Sequence, residues 1–197
     1  MTPADRALQA DGLRRVVTEF LVAGQDQDSS GVGAGGGSPI PVHGTVAAFV
    51  GVGPEPDTGP LLGSLHAAGF DVVVPVCEAE YALSWAGWRP GVPLARSVRA
   101  PVDEPTGPRR AFEDLVDVRM VLVPALGVDA SGARMGQGGG YYDRFLARYP
   151  LERGRGGVPA MGLVYRSEVL PVGGVPVGPF DRPLDGAFTA DGPLIFG

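Results

Sequence analysis

Residues Val121 to Leu146 read VLVPALGVDASGARMGQGGGYYDRFL, and their order decides the fold. Val121 to Val123 form an apolar run closed by Pro124, the pattern of a buried strand. A loop carrying Asp129, Gly132 and Arg134 follows. Gly136, Gly138, Gly139 and Gly140 then fall within five positions. Tyr142, Phe145, Leu146 and Tyr149 recur at helical spacing, so a helix opens directly after the glycines. Strand, Gly-rich turn and helix in this order make an anion site. Glycines admit positive φ and close backbone approach, and free N–H groups at a turn and a helix start form a concave donor set. Arg134 adds a bidentate donor for phosphate. Asp143, in the first helical turn, can hold a divalent cation. A turn that merely starts a helix would not need four glycines, because each loses backbone entropy on folding. The turn is not a Walker loop, since Gly-Lys-Ser/Thr occurs nowhere in the chain. It is not the dinucleotide fingerprint either, because Tyr141 stands where that motif has its third glycine.

The chain of 197 residues suits one domain, with room for a small appendage. No apolar run is long enough for a membrane span, and the first residues lack the pattern of a signal peptide. A single cysteine, Cys77, excludes an internal disulfide and fits a reducing cytoplasm. Its apolar neighbours make it an inert core thiol. The net charge of −6 argues against nucleic acid as a partner. An anionic ligand must therefore find a local positive patch.

Outward from the central stretch, Thr2-Pro3 starts a helix that carries Leu8, Leu13, Val16, Val17 and Phe20 on one face and ends near Ala23-Gly24. Residues 24–41 are a Gly/Ser-rich loop, so residues 1–23 read as an N-terminal helix and 42–197 as a single α/β domain. Gly31, Gly33 and Gly36 spell G-x-G-x-x-G, but no strand precedes them and Ser38-Pro39 follows, so they are no nucleotide site. Thr45 to Val50 and Val72 to Val76 read as strands flanking a helix capped by Thr58. His43 and His66 are boundary residues rather than ligands. Tyr81 to Trp88 is an aromatic strand, Pro101 to Pro108 an extended connection, and Val158 to Val164 and Gly186 to Thr189 are further strands. Pro193 to Phe196 can add an edge strand. Strands alternating with helices predict a mostly parallel open sheet with helices on both faces, three-layer and Rossmann-like. Ligands bind such sheets at the carboxyl ends of the strands. That rule brings Glu55, after the first strand, towards the Gly-rich turn.

The central stretch resembles the signature of the 5-formyltetrahydrofolate cyclo-ligase family, roughly P-x-L-x-F-D-x-x-G-x-R-L-G-x-G-x-G-Y-Y-D. Pro124, Leu126, Asp129, Gly132, Arg134, Gly136, Gly138, Gly140, Tyr141, Tyr142 and Asp143 match it. Val128 and Met135 stand where the family has Phe and Leu. The resemblance implies ATP binding by Arg134, Met135, Gly136, Gln137, Gly138, Gly139, Gly140, Tyr141 and Tyr142, with Arg134 and Tyr141 acting in catalysis. It implies folate contacts from Val50, from Glu55 in Glu55-Pro56-Asp57-Thr58, and from Gln137 to Tyr141. Taken alone, Glu55 would read as a solvated loop carboxylate. Magnesium would be held by Asp143 and Asp185, with Asp181 matching the first acid of the C-terminal acidic pair. Glu104-Pro105 is similar to a Glu-Pro in a comparable family loop.

Two departures accompany the match. Gln137 stands where the family often has Arg. The family also usually begins with a basic helix, about K-x-x-x-R, that holds the ATP phosphates; Arg6, Arg14 and Arg15 are out of register with it, and an upstream segment is expected. The resemblance implies a cytoplasmic, monomeric enzyme that uses ATP and Mg²⁺ to cyclise 5-formyltetrahydrofolate to 5,10-methenyltetrahydrofolate. A rival is a folate-binding module without turnover. A second rival is a phosphosugar isomerase or acyl-CoA transferase on a similar sheet.

Overall fold

The structure, a computed structural model, describes residues 1–28, 44–148 and 157–196. Thirteen strands and three helices run in the order α1 Pro3–Asp28, β1 Thr45–Ala47, α2 Gly59–Ala67, β2 Asp71–Cys77, β3 Leu83–Gly87, β4 Leu94–Arg96, β5 Asp103–Pro105, β6 Arg109–Arg110, β7 Val118–Pro124, β8 Gly127–Asp129, β9 Arg134–Met135, α3 Tyr141–Arg148, β10 Ala160–Leu163, β11 Val169–Leu170, β12 Gly186–Thr189 and β13 Gly192–Ile195 among the described residues. His43, Tyr149 and the expected loop from residue 29 onward, with Gly31, Gly33 and Gly36, lie outside the described residues.

The main sheet has the order β13-β12-β10-β7-β1-β2-β3-β6. Its centre, β12-β10-β7-β1-β2, is parallel throughout, and β13, β3 and β6 pair antiparallel at the two margins. Successive strand residues point to opposite faces, and each face has its own core. Val46, Val72, Val74, Met120 and Leu122 pack with Leu13, Val17 and Leu21 of α1 and Leu61, Leu62 and Leu65 of α2. Ala47, Val73, Val121 and Val123 pack with Tyr142, Phe145 and Leu146 of α3 on the other face. The expected sheet with helices on both faces is what forms.

Several local readings are corrected. Helix α1 continues past Gly24 to Asp28, because a glycine in a helix interior costs only about 1 kcal/mol against alanine and does not stop the helix. Its start follows the expectation: the Asp5 N–H donates to Thr2 Oγ1 at 3.1 Å, and Thr2 N–H donates back to Asp5 Oδ2 at 2.9 Å. The buried face of α1 is Ala10, Leu13, Val17 and Leu21, while Leu8 is 71% exposed. Thr58 stands at the N-cap of α2 as expected, but its side chain makes no capping hydrogen bond. Its hydroxyl donates to Phe49 O and accepts from Gly51 N–H, pinning the loop after β1. The Asp129–Arg134 stretch is a hairpin rather than a loop: β8 pairs antiparallel with β9 and parallel with β11. Tyr81 lies outside the strand expected from Tyr81 to Trp88, in a turn where Glu80 and Tyr81 have φ of 57° and 59°.

Candidate active site

The carboxyl ends of β1, β2 and β7 open into one cavity, about 950 Å³ with its mouth included. Phe49, Val50, Val52 and Glu55 enter from the loop after β1, Cys77 from the end of β2, and Pro124 from the end of β7. Arg134 and Gly136 to Asp143 form the opposing wall.

The Gly-rich turn needs its glycines at two positions in particular. Gly138 and Gly140 have φ of 84° and 70°, where an L side chain is strained. Nothing lies within 4 Å of a Cβ built on Gly138, so that backbone faces open space rather than a neighbouring side chain. The turn leads into α3, whose first-turn N–H groups and dipole favour an anion.

Two loops distant in sequence meet here. Gln137 Nε2 donates to Glu55 Oε1 at 2.7 Å. Glu55 Oε2 accepts from Val52 N–H at 3.0 Å. Tyr165 Oη donates to the Glu55 carbonyl at 3.3 Å. Glu55 is 8% exposed, so the solvated-loop alternative is set aside. Burial pushes its carboxyl above the ordinary glutamate range, with the Val52 and Gln137 hydrogen bonds pulling the other way.

Arg134 is fixed from two sides. One Nη donates to the Pro124 carbonyl at 3.1 Å and the other pairs with Asp143 Oδ1. Its side chain is 6% exposed, and its Nε is buried with no partner among the described residues. The Tyr142 hydroxyl is likewise buried without a partner among them. Burial drives the Tyr142 phenol far above its usual range, with the nearby Glu55 charge adding to the effect.

Of the expected residues, Val50, Glu55, Arg134, Gly136, Gln137, Gly138, Gly139, Gly140, Tyr141, Tyr142 and Asp143 all line the cavity. Met135 does not: it is in β9 and 42% exposed. Asp185 is a second departure. Its Oδ2 accepts from Ala160 N–H at 2.8 Å, at the start of β10. Because β10 and β12 are parallel, that places Asp185 at the amino ends of the strands, the edge opposite the cavity. Asp181 accepts from Gly178 N–H within its own loop. The structure therefore does not bring Asp185 or Asp181 to Asp143. No group of three or more His, Cys, Asp and Glu is placed to hold a metal among the described residues. A cation at Asp143 would complete its shell with ligand oxygens and water, the usual habit of Mg²⁺.

Sequence reasoning passed over part of the wall. Ala100 to Asp103 line the cavity, although the segment from Pro101 read only as a connection. Cys77 lines it too. Its N–H donates to the buried Glu104 Oε1 at 2.7 Å. Burial, reinforced by Glu104, pushes the thiol up to about 12, so it stays protonated and unreactive. The signal for Cys77 was its place as the last residue of a parallel strand, where the backbone reaches the binding edge.

The chain is 41% identical over 107 residues to a 5-formyltetrahydrofolate cyclo-ligase of Mycolicibacterium smegmatis, covering 52% of this chain and 54% of that protein. It is 33% identical over 113 residues to the 5-formyltetrahydrofolate cyclo-ligase of Escherichia coli K12, covering 56% and 62%. The chain spans about half the length of the curated relatives it matches. A 5,10-methenyltetrahydrofolate synthetase structure from Mycoplasma pneumoniae shares the fold, with a TM-score of 0.64 at 16% identity over 96% of this chain and 90% of that one. The model of the 5-formyltetrahydrofolate cyclo-ligase family matches residues 42–190, a span that holds the cavity, both loops that meet across it and the helix behind them. On that match the chain belongs to the 5-formyltetrahydrofolate cyclo-ligase family.

Proposed function

We propose that this chain joins ATP and 5-formyltetrahydrofolate in the cavity and releases 5,10-methenyltetrahydrofolate, ADP and phosphate. The observation that carries this reading is the hydrogen bond from Gln137 to Glu55. It ties the loop expected to hold the folate to the turn expected to hold the nucleotide, so both substrates would share one cavity.

The formyl oxygen attacks the γ-phosphorus and ADP leaves. N10 of the folate then attacks the activated carbon, its proton is lost, and phosphate departs with the former formyl oxygen. Phosphorylation is needed because an amide-type oxygen is a poor leaving group. The protein's share is positioning and charge neutralisation. The N–H groups of Gly136 to Gly140 and of the first turn of α3 would receive phosphate oxygens. Arg134 holds Asp143 and the Pro124 carbonyl in place. Val50 and Tyr141 wall the folate, and Glu55 would accept from its ring N–H groups. Mg²⁺, bound by Asp143 together with phosphate oxygens, would neutralise charge on the transferring group. Asp185, held at the far edge, is left out of this set. The reading includes a cytoplasmic monomer, in keeping with the lone unpaired Cys77.

The test is absorbance in the methenyl-folate band with 5-formyltetrahydrofolate, Mg²⁺ and ATP. ATP-dependent growth is expected, with Asp143→Asn slower by roughly a hundredfold or more. Folate binding without turnover would favour the binding-module alternative. Absence of folate binding would overturn both.

A further inference from the structure

Glu80 and Tyr81 form a turn between β2 and β3 in which two consecutive residues with side chains are left-handed. Each such residue carries a steric cost, and strain of this kind gathers at functional sites. The turn carries the Tyr81 ring out of the line of β3 and over the start of α3. There the ring stands 5.5 Å from the Tyr141 ring at 59°, and the Arg144 guanidinium carbon sits 4.3 Å from its centroid. Tyr141 and Arg144 are three residues apart on α3 and so share a face. Tyr81 contacts both, yet it remains 50% exposed and belongs to neither core.

Tyr141 needs an outer support. The turn beneath it is made of glycines, which have no side chains to hold a ring; a Cβ on Gly139 would already stand 3.4 Å from it. The phenol also meets the Cys77 thiol across the cavity wall.

We propose that Tyr81 is a positioning residue for Tyr141, bracing that ring against the cavity so that the substrate meets a preformed wall. The tilted ring contact and the cation–π contact supply the hold, and the Tyr81 hydroxyl is not needed for it. The identity of the substrate rests on the cyclo-ligase reading, but the brace itself does not.

The experiment compares wild type, Tyr81→Ala and Tyr81→Phe by three readouts. Ring resonances of Tyr141 in the unliganded protein report the brace directly. They are expected to shift and average in Tyr81→Ala and to return in Tyr81→Phe. KM for 5-formyltetrahydrofolate is expected to rise about tenfold in Tyr81→Ala, with kcat within about threefold and recovery in Tyr81→Phe. Melting temperature separates these effects from unfolding, and Arg144→Gln, which removes the cation alone, serves if Tyr81→Ala fails to fold. Unchanged Tyr141 resonances in Tyr81→Ala would overturn the proposal. If wild type binds no folate, the cyclo-ligase reading fails and the resonances still decide the brace.

Discussion

Two buried carboxylates, Asp129 and Glu55, show how differently this fold treats the same chemical group. Asp129 is 0% exposed and saturated. Oδ1 accepts from the N–H and the hydroxyl of Ser131, and Oδ2 accepts from Gly173 N–H at 3.0 Å and Val175 N–H at 3.3 Å. These bonds, led by the Ser131 hydroxyl, hold its carboxyl below the usual range. Glu55 has two donors, and burial dominates, so its carboxyl is pushed up. A saturated carboxylate has no capacity left for a ligand and acts as a clasp. An under-satisfied one at a cavity wall is poised to trade a protein donor for a ligand donor. The clasp joins the β8–β9 hairpin to the loop before β12, and Gly132 lies against it. A Cβ on Gly132 would stand 2.6 Å from the Leu184 carbonyl, at a φ of 85°.

The largest expected effect breaks the clasp. Asp129→Ala should lose about 3 kcal/mol of stability, because four donors are left without their charged acceptor. A urea titration checks it. A midpoint within error of wild type would mean that water replaces the carboxylate and that the hairpin is held by β-pairing alone.

The signature made Asp129 and Asp143 equals in the sequence, and only their surroundings separate them. Asp143 opens a helix beside a glycine turn, which local rules can read. Beyond the local Ser131, the partners of Asp129 are Gly173 and Val175, more than forty residues away, and no local rule reports them. The same distance hid part of what fixes β8, a short strand that pairs with Val169–Leu170 of β11 as well as with β9. The strands β2 and β7, by contrast, were legible because a short continuous apolar run is a local signal. Asp185 teaches a third lesson. Its place just before a parallel strand was enough to put it at the amino edge, away from the carboxyl ends where ligands bind. The family resemblance drew it towards Asp143 against that geometry.

A smaller effect sharpens the contrast between the two carboxylates through pH. Asp129 has a lowered folded pKa, so its contribution is present above the unfolded value of about 3.9 and is lost as pH falls through the folded one. Glu55 has a raised folded pKa, so it costs stability as pH rises from about 4.3 through the folded value. Melting curves of Asp129→Asn and Glu55→Gln against wild type should therefore diverge in opposite senses. Asp129→Asn falls further behind wild type as pH rises through the acid window, and Glu55→Gln gains on it as pH rises through the higher one. Parallel curves for both would show that neither carboxyl changes its affinity for protons on folding.

The smallest effect concerns backbone rather than charge. The clasp puts its left-handed conformations on glycines, with Gly132 and Gly173 at φ of 85° and 77°, whereas the turn between β2 and β3 puts them on Glu80 and Tyr81. Glycine at position 80 would remove a left-handed penalty of about 1–2 kcal/mol and add back about 0.5–1 kcal/mol of chain entropy. Glu80→Gly should therefore stabilise the fold by roughly 0.5 kcal/mol, seen as a small rise in melting temperature. Its KM should stay at the wild-type value, because the Tyr81 ring and its two neighbours are untouched. A rise in both melting temperature and KM would mean that the brace depends on a stiff turn as well as on the ring, and that the strain in that turn is itself part of how Tyr141 is held.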